Sequence, residues 1–297
     1  MTVDNQSVPK TKGLVMHSEA RYYDLLAWML TLGRERAFRD RLLDLAHLAP
    51  GEAVLDVGCG TGTLAIAARR RVGDSGSVDA IDASPEMIAR ATRKAADAGA
   101  TVRFRVAVVE ELPFPDATFD VVFSTLMLHH LPRPARRQCV EEIRRVLKPG
   151  GRLLAVDFAT PARARKGVLA RMHRHGHLAL EEIVSVLGES GLRVAEVGSV
   201  GVSDLHFALA TASDGTSTAS LDPAPTTRSL PPLPMPRWVF ALVLAFLLVA
   251  HGIVVSATVR RLALPVLALA ALGALFVVAH AGVGGAIHAL LRRRRRS

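Results

Sequence analysis

The stretch that decides the fold is residues 54–62, Val54-Leu55-Asp56-Val57-Gly58-Cys59-Gly60-Thr61-Gly62. It begins as an apolar strand, breaks into three alternating glycines and is followed by apolar residues 64–68, which are typical of a helix. Glycine adopts backbone angles that other residues avoid and leaves no Cβ beside the main chain. We therefore expect a ligand to lie against this glycine turn, where the first N–H groups of the helix are unpaired.

Asp56, at the end of the predicted strand, indicates the charge of that ligand. A carboxylate at this place would repel the pyrophosphate of a dinucleotide. The usual dinucleotide pattern is G-x-G-x-x-G, whereas this turn runs G-x-G-x-G with Thr63 in the sixth position. The sequence therefore predicts a cationic cofactor.

Further motifs follow the glycine turn in an order that resembles the class I S-adenosylmethionine-dependent methyltransferases, most closely the group that contains the ubiquinone and menaquinone methyltransferases. These motifs are Glu111-Leu112-Pro113-Phe114-Pro115-Asp116, Phe119-Asp120-Val121-Val122, Leu128-His129-His130-Leu131 and Arg145-Val146-Leu147-Lys148-Pro149-Gly150-Gly151. The resemblance covers roughly residues 22–210 and implies that the chain is an S-adenosylmethionine-dependent methyltransferase.

The cofactor site that the resemblance implies lies on the glycine turn, after the second strand and at the ends of the next two strands. Asp82 follows a predicted strand at residues 77–81, about twenty residues past the turn, where a carboxylate can bind both hydroxyls of a ribose. Ser84 and Pro85 are predicted to cap and open the next helix. The predicted cofactor residues are Asp56, Gly58, Cys59, Gly60, Thr61, Gly62, Asp82, Ala83, Met87, Val108, Val109, Glu110 and Ser124.

One position departs from the family pattern, because Val108 stands where relatives usually carry an Asp that accepts a hydrogen bond from the adenine amino group. Valine cannot accept that bond, and the loss of about 1 kcal/mol would weaken cofactor binding several-fold without abolishing it. Glu110 is close enough in sequence to substitute, or apolar packing alone holds the adenine. A degenerate cofactor site on a non-catalytic scaffold is therefore one alternative.

His129 and His130 are the predicted catalytic residues. Imidazole titrates near neutral pH, and in the family the loop after the fourth strand borders the cofactor. A base is needed only if the methylated atom must lose a proton, so the alternative is that these histidines orient the loop or fill space.

The predicted substrate and lid residues are Tyr22, Tyr23, Asp157, Arg163 and Arg171. The two arginines belong to the basic segment 163–177. We expect this segment to meet anionic lipid headgroups or an acidic substrate, and the alternative is a solvated loop. The alternating histidines of this segment make a poor tetrahedral ligand set, so no metal site is predicted.

Strand and helix patterns alternate through residues 53–157, which predicts a parallel sheet covered by helices on both faces. The predicted strands 192–197 and 205–210 lie too close together for a helical crossover, so this last pair should be antiparallel. The fold class is therefore α/β, the Rossmann-like seven-stranded class I methyltransferase fold with an antiparallel last strand.

The C-terminal part holds two long apolar stretches. Residues 238–259 contain no Asp, Glu, Lys or Arg and would span about 33 Å as a helix, and residues 262–291 are likewise uncharged. Only Arg260 and Arg261 separate them, which predicts a transmembrane helical hairpin. Arg237 and residues 292–296 flank its outer ends, so the positive-inside rule predicts a place in the cell (cytoplasmic, inner) membrane with the catalytic domain and both termini in the cytoplasm.

These patterns divide the chain into four parts. Residues 1–50 are predicted cap or lid helices, 51–210 the methyltransferase core, 211–236 a linker rich in Pro, Ser and Thr, and 237–297 the two membrane helices with an Arg-rich end. The two cysteines, Cys59 and Cys139, make no disulfide framework and suit a reducing compartment.

The net charge of +10 raises nucleic acid as a partner, but several charges flank the apolar stretches and no aromatic-basic pattern occurs, so nucleic acid is not predicted. We expect a membrane-anchored methyltransferase of a lipophilic small molecule, such as a quinone precursor or a lipid. The alternatives are the non-catalytic membrane-tethered scaffold and a methyltransferase of a soluble small molecule.

Overall fold

The computed structural model of the 297-residue chain describes residues 11, 13, 31, 33–160, 178–202, 205–213 and 224–233. Within this part the chain forms nine strands, five α-helices and one 3-10 turn, Leu128–His130. The helices are α1 (Glu35–Leu45), α2 (Thr63–Val72), α3 (Pro85–Asp97), α4 (Arg133–Val146) and α5 (Leu180–Glu189). The strands are β1 (Ala53–Val57), β2 (Ser77–Asp82), β3 (Arg103–Val106), β4 (Phe119–Thr125), β5 (Leu147–Thr160), β6 (Leu178–Ala179), β7 (Leu192–Ser199), β8 (Leu205–Ala212) and β9 (Thr226–Thr227).

The main sheet has the strand order β3-β2-β1-β4-β5-β8-β7-β9. Strands β1 to β5 pair in parallel, whereas β8 is antiparallel to both of its neighbours, β5 and β7. The predicted parallel sheet with an antiparallel last strand is therefore confirmed. Two short strands add to the seven that the sequence predicts, since β6 pairs with the end of β5 and β9 extends the sheet beyond β7.

Apolar side chains alternate between two cores, one on each face of the sheet. Leu55 and Val57 of β1 belong to the core that α4 and α5 cover, and Val54 belongs to the core that α1 and α2 cover. Successive side chains of a strand point to opposite faces, so Asp56 projects to the side of α1 and α2. The predicted capping of the third helix is also confirmed, since the Ser84 hydroxyl accepts the N–H of Met87.

Part of the predicted linker is packed against the sheet instead of running freely from it. Residues 224–233 pair with β7 through β9, and the Leu233 side chain is buried in the core beneath α1. The segment is extended, as its prolines predict, but its leucines and its main-chain N–H groups find partners on the domain.

Several predictions fall on residues that the structure does not describe. These are the predicted hairpin at residues 237–297, most of the predicted N-terminal cap, and Tyr22, Tyr23, Arg163 and Arg171. In the described part of the chain, no helix combines the length and the apolar character needed to cross a bilayer.

Candidate active site

The glycine turn connects β1 to α2 at the carboxyl edge of the sheet. Gly58, Gly60 and Gly62 all have positive φ, at 71°, 53° and 73°. A methyl group on Gly58 would overlap the Met127 side chain, and one on Gly62 would lie 2.7 Å from the Phe104 ring. Protein side chains thus fill the space at two of the three glycines, where the sequence suggested room for a ligand.

Asp82, at the end of β2, holds the turn in place. Its Oδ2 accepts the N–H of Gly60 and its Oδ1 accepts the N–H of Ser84, both at 2.9 Å. Burial raises the pKa of Asp82, while these two N–H groups lower it in part. Each carboxylate oxygen has two lone pairs, so both retain acceptor capacity for the ribose hydroxyls that the sequence predicts there.

Asp56 is the most strongly perturbed acid of the site. Only 2% of it is exposed. Burial, together with the nearby Asp82 charge, raises the pKa of Asp56 to about 7, although the Ala65 N–H and the Arg39 guanidinium oppose that shift. Its Oδ2 has no hydrogen-bond partner among the described residues. A buried carboxyl in this state fits a cationic ligand, because a positive charge would both pair with it and favour its ionised form.

Two hydroxyl groups at the end of β4 are also buried polar groups without a hydrogen-bond partner among the described residues. In the described part of the chain, Ser124 Oγ and Thr125 Oγ1 are buried and make no hydrogen bond. Ser124 pairs in register with Val57, directly before the glycine turn. Buried polar atoms without partners are costly, so the edge formed by β1 and β4 is suited to a polar ligand that would satisfy them.

Helix α1 forms the opposite wall of a pocket over Asp56. Glu35, Phe38, Arg39 and Leu42 line it, and Glu35 and Arg39 form an ion pair one helical turn apart. Sequence reasoning missed these residues. Their spacing of four is a visible ion-pair signal, but no sequence pattern tells which strand end the helix covers.

Lys94 of α3 is a second residue that the sequence did not single out. Its Nζ donates to the hydroxyls of Thr61 at 3.0 Å and Thr63 at 2.9 Å, both on the pocket wall at the start of α2. The lysine adds positive charge to that of the helix N-terminus. This end of the pocket therefore suits a carboxylate, whereas Asp56 suits an ammonium or sulfonium.

The predicted adenine side of the site lies after β3. Met87 and Val109 are buried, and Ala83 and Val108 are partly exposed. Glu110 is buried, and its Oε1 accepts the Thr11 hydroxyl at 2.7 Å. That contact occupies Oε1 alone, so Glu110 and apolar packing both stay predictions for the adenine side of the site.

His129 lies in the 3-10 turn after β4 and is held by Asp157, three residues before the end of β5. Its Nδ1 is 2.6 Å from Asp157 Oδ1, and its main-chain N–H donates to Asp157 Oδ2 at 3.0 Å. The Phe158 N–H also donates to Asp157 Oδ1, at 2.8 Å. With Asp157 as the acceptor, the Nδ1–H tautomer of His129 makes this contact and leaves Nε2 as the acceptor nitrogen of the ring. This is the arrangement of an oriented general base.

His130 lies beside His129, and Asp157 lies beneath it. The ring of His130 lies 3.9 Å from that of His129, centroid to centroid. Asp157, one of the predicted substrate and lid residues, is fully buried and contacts the His129 ring, and its role toward substrate stays a prediction. Met127, two residues before His129, covers Gly58 and so connects this loop to the glycine turn.

In the described part of the chain, no group of three or more His, Cys, Asp or Glu side chains is placed to hold a metal ion. The polar groups at this edge of the sheet suit an organic cofactor with both positive and negative charges. S-Adenosylmethionine, with its sulfonium and its amino acid end, has that character.

Comparison with known proteins agrees with this geometry. Residues 54–151 match the family described as a methyltransferase domain. The chain is 37% identical over 169 residues to the ubiquinone/menaquinone biosynthesis C-methyltransferase UbiE of Azotobacter vinelandii, a match that covers 54% of this chain and 66% of that protein. The chain thus spans slightly less than two thirds of the length of this curated relative.

Solved structures match over a longer stretch. An S-adenosylmethionine-dependent methyltransferase from Aquifex aeolicus is 27% identical, with a TM-score of 0.54 over 66% of this chain and 97% of that one. The geranyl diphosphate C-methyltransferase of Streptomyces coelicolor, solved with S-adenosyl-L-homocysteine, is 17% identical with a TM-score of 0.52 over 60% of this chain and 76% of that one, and so supports the fold alone. Residues 54–151 therefore resemble a methyltransferase domain, and the fold is the one found in S-adenosylmethionine-dependent methyltransferases.

Proposed function

We propose that the chain methylates a lipophilic small molecule of the quinone-precursor class, and that residues 237–297 hold it at the cytoplasmic face of a membrane. Two features support the substrate class. The relative that matches over 169 residues is named for ubiquinone and menaquinone biosynthesis. The chain's own apolar stretches would place the catalytic domain beside the phase in which such molecules dissolve.

Different residues of the pocket would bind different parts of the methyl donor. S-Adenosylmethionine supplies an electrophilic methyl group on a positively charged sulfur. Asp56 provides the negative charge that a cation needs in a buried pocket, and the Glu35–Arg39 pair offers both signs of charge to an amino acid end. Asp82 retains acceptor capacity for the ribose.

The observation that carries the proposed reaction is the hydrogen-bonded pair of His129 and Asp157. Methyl transfer to a phenol oxygen, or to a ring carbon activated by a phenol, leaves one proton to be removed. Nε2 of His129 accepts that proton, and the buried Asp157 carboxylate stabilises the resulting imidazolium. A scaffold without activity would have no use for this arrangement beside unsatisfied Asp56 and Ser124 oxygens.

The experiment is to incubate membranes from cells that express the full chain with radiolabelled S-adenosylmethionine and to extract them with organic solvent. We expect label in an organic-soluble small molecule, and none with membranes that carry the matched variant His129→Asn. Label that stays in water-soluble compounds would overturn the substrate class and leave the methyltransferase assignment intact. A failure to bind S-adenosylhomocysteine would overturn both.

A further inference from the structure

Residues 224–233, which we call the strap, extend the edge of the main sheet beyond β7. The Arg228 N–H donates to the Val197 carbonyl at 2.8 Å, and the Leu230 N–H donates to the Ser199 carbonyl at 3.1 Å. Leu230 packs against the core beneath α1, and Leu233 is buried within that core. The strap therefore makes both ladder hydrogen bonds and apolar contacts with the folded domain.

Two glycines of the domain leave the space that the strap fills. A methyl group on Gly198 would overlap the carbonyl oxygen of Arg228, and one on Gly201 would lie 2.5 Å from the carbonyl oxygen of Pro231. No other residue type fits at either position while the strap stays where it is. The close approach of backbone to backbone marks a specific docking groove.

The strap is also fastened to helix α1. Arg41 donates from Nη1 to the Pro231 carbonyl and to the Val200 carbonyl, both at 2.8 Å, so one guanidinium joins the helix, the strap and the segment after β7. Arg34, at the start of α1, donates to the Leu233 carbonyl. Arginine side chains at the start and in the second half of α1 thus hold the strap.

The same helix lines the cofactor pocket with Glu35, Phe38, Arg39 and Leu42. Helix α1 has 11 residues and lacks a side-chain cap at its start. A helix of this length is marginal without tertiary contacts, so its position depends on what packs around it. Leu233 of the strap shares its core with Phe38 and Leu42 of the pocket wall.

We infer that the strap positions helix α1 over the cofactor pocket, so that residues 224–233 contribute to the affinity for S-adenosylmethionine without touching it. This inference rests on the assignment of that cofactor. It makes the segment that leads toward the predicted membrane hairpin part of the binding machinery.

The test is the full-length variant Gly198→Ala, because the backbone at Gly198 does not have the positive φ that would strain an alanine, and only the strap occupies the space of the new methyl. The matched control is Gly188→Ala, where a methyl would meet nothing within 4 Å. We expect the dissociation constant of S-adenosylhomocysteine, measured by calorimetry, to rise about five-fold or more in Gly198→Ala and to stay unchanged in the control.

A second pair of variants covers the case in which Gly198→Ala fails to fold. Arg41→Met keeps the aliphatic stem but removes both hydrogen bonds to carbonyl oxygens, and Arg36→Met is its control on the exposed side of the same helix. Hydrogen exchange of the ligand-free proteins should be faster in α1 of Arg41→Met and unchanged in α4.

These measurements separate positioning from stability and from the cofactor assignment. A purely structural contact would lower the melting temperature and leave the affinity of the folded protein unchanged, and that result would overturn the inference. Unchanged exchange in α1 would overturn it as well, even in a protein that binds no cofactor. If the wild-type protein fails to bind S-adenosylhomocysteine, but hydrogen exchange in α1 is faster in Arg41→Met, the strap still positions α1 and only the cofactor assignment is overturned.

Discussion

Single residues in this protein carry chemistry that their neighbours on the same element do not. Asp56 and Asp157 lie near the carboxyl ends of β1 and β5, but Asp56 has an oxygen without a partner among the described residues, whereas Asp157 accepts three hydrogen bonds. The first carboxyl is suited to receive a ligand's charge. The second is suited to orient the His129 ring.

Asp56 predicts an unusual pH dependence of stability. Its pKa is raised to about 7 in the native state, so between roughly pH 4 and pH 7 the folded protein holds a proton that the unfolded chain has released. Stability from this group therefore falls as the pH rises. We expect Asp56→Asn to gain about 2–3 kcal/mol of unfolding free energy relative to wild type between pH 5 and pH 8, as measured by denaturant titration without ligand.

Asp120→Asn is the control, because Asp120 should make stability depend on pH with the opposite sign. Burial would raise the pKa of Asp120, but hydrogen bonds from Lys148 and from the Ala53 N–H outweigh it and lower that pKa. Its ionised form stabilises the fold, and this contribution is lost as the pH falls toward the lowered value. A pH-independent difference between wild type and Asp56→Asn would contradict the state of Asp56 described above.

The His129–Asp157 pair predicts a loss of rate with little loss of cofactor affinity. Replacing a positioned general base reduces turnover by about 10²–10⁴-fold, so His129→Asn should lower kcat within that range in the radiolabel assay. Asp157→Asn should do likewise, because an amide no longer fixes the proton on Nδ1.

His47→Asn is a suitable control for the histidine variants, since His47 is exposed and has a positive φ of 50°, which asparagine tolerates. All variants should bind S-adenosylhomocysteine as wild type does. If His129→Asn kept full turnover, the two histidines would only orient the loop or fill space, and the methylated atom would need no base.

At the scale of elements, the sequence predicted those whose signals are local. The strand that ends at Val57 and the helix capped by Ser84 were both predicted, because apolar runs, glycines and caps act over a few residues. The start of β5 at Leu147 was missed, since Pro149 and Gly150 lie within the strand as an irregularity that a partner strand accommodates.

Long-range packing accounts for the elements that the sequence did not predict. Nothing in residues 35–45 indicates that α1 covers the carboxyl end of β1, and nothing in residues 224–233 indicates that they would pair with β7. The contacts between α1 and the strap join residues almost 200 positions apart in sequence, such as Arg34 and Leu233. The sequence therefore predicted a cap at residues 1–50, but neither the side chains of α1 that line the pocket nor the contact between α1 and the strap.

At the scale of the whole molecule, the contacts of the chain divide it after Leu233, at the end of the strap. Truncation at that boundary removes the predicted hairpin and keeps the strap, whereas truncation after Ser213 removes both. We expect the 1–233 protein to keep its affinity for S-adenosylhomocysteine and its turnover of a detergent-solubilised lipophilic substrate, but to lose turnover of the same substrate in vesicles. The lost step is presentation at the membrane surface, which raises the local concentration of substrate.

The 1–213 protein should in addition bind S-adenosylhomocysteine more weakly, because it lacks the contacts that hold α1. Calorimetry on both proteins and turnover with vesicles of anionic and neutral lipid measure the two effects separately. Equal turnover of the full chain and the 1–233 protein in vesicles would remove the role of the hairpin in substrate access. The cofactor site would then serve a soluble methyl acceptor, since neither Asp56 nor the His129–Asp157 pair depends on the lipophilicity of the molecule that loses the proton.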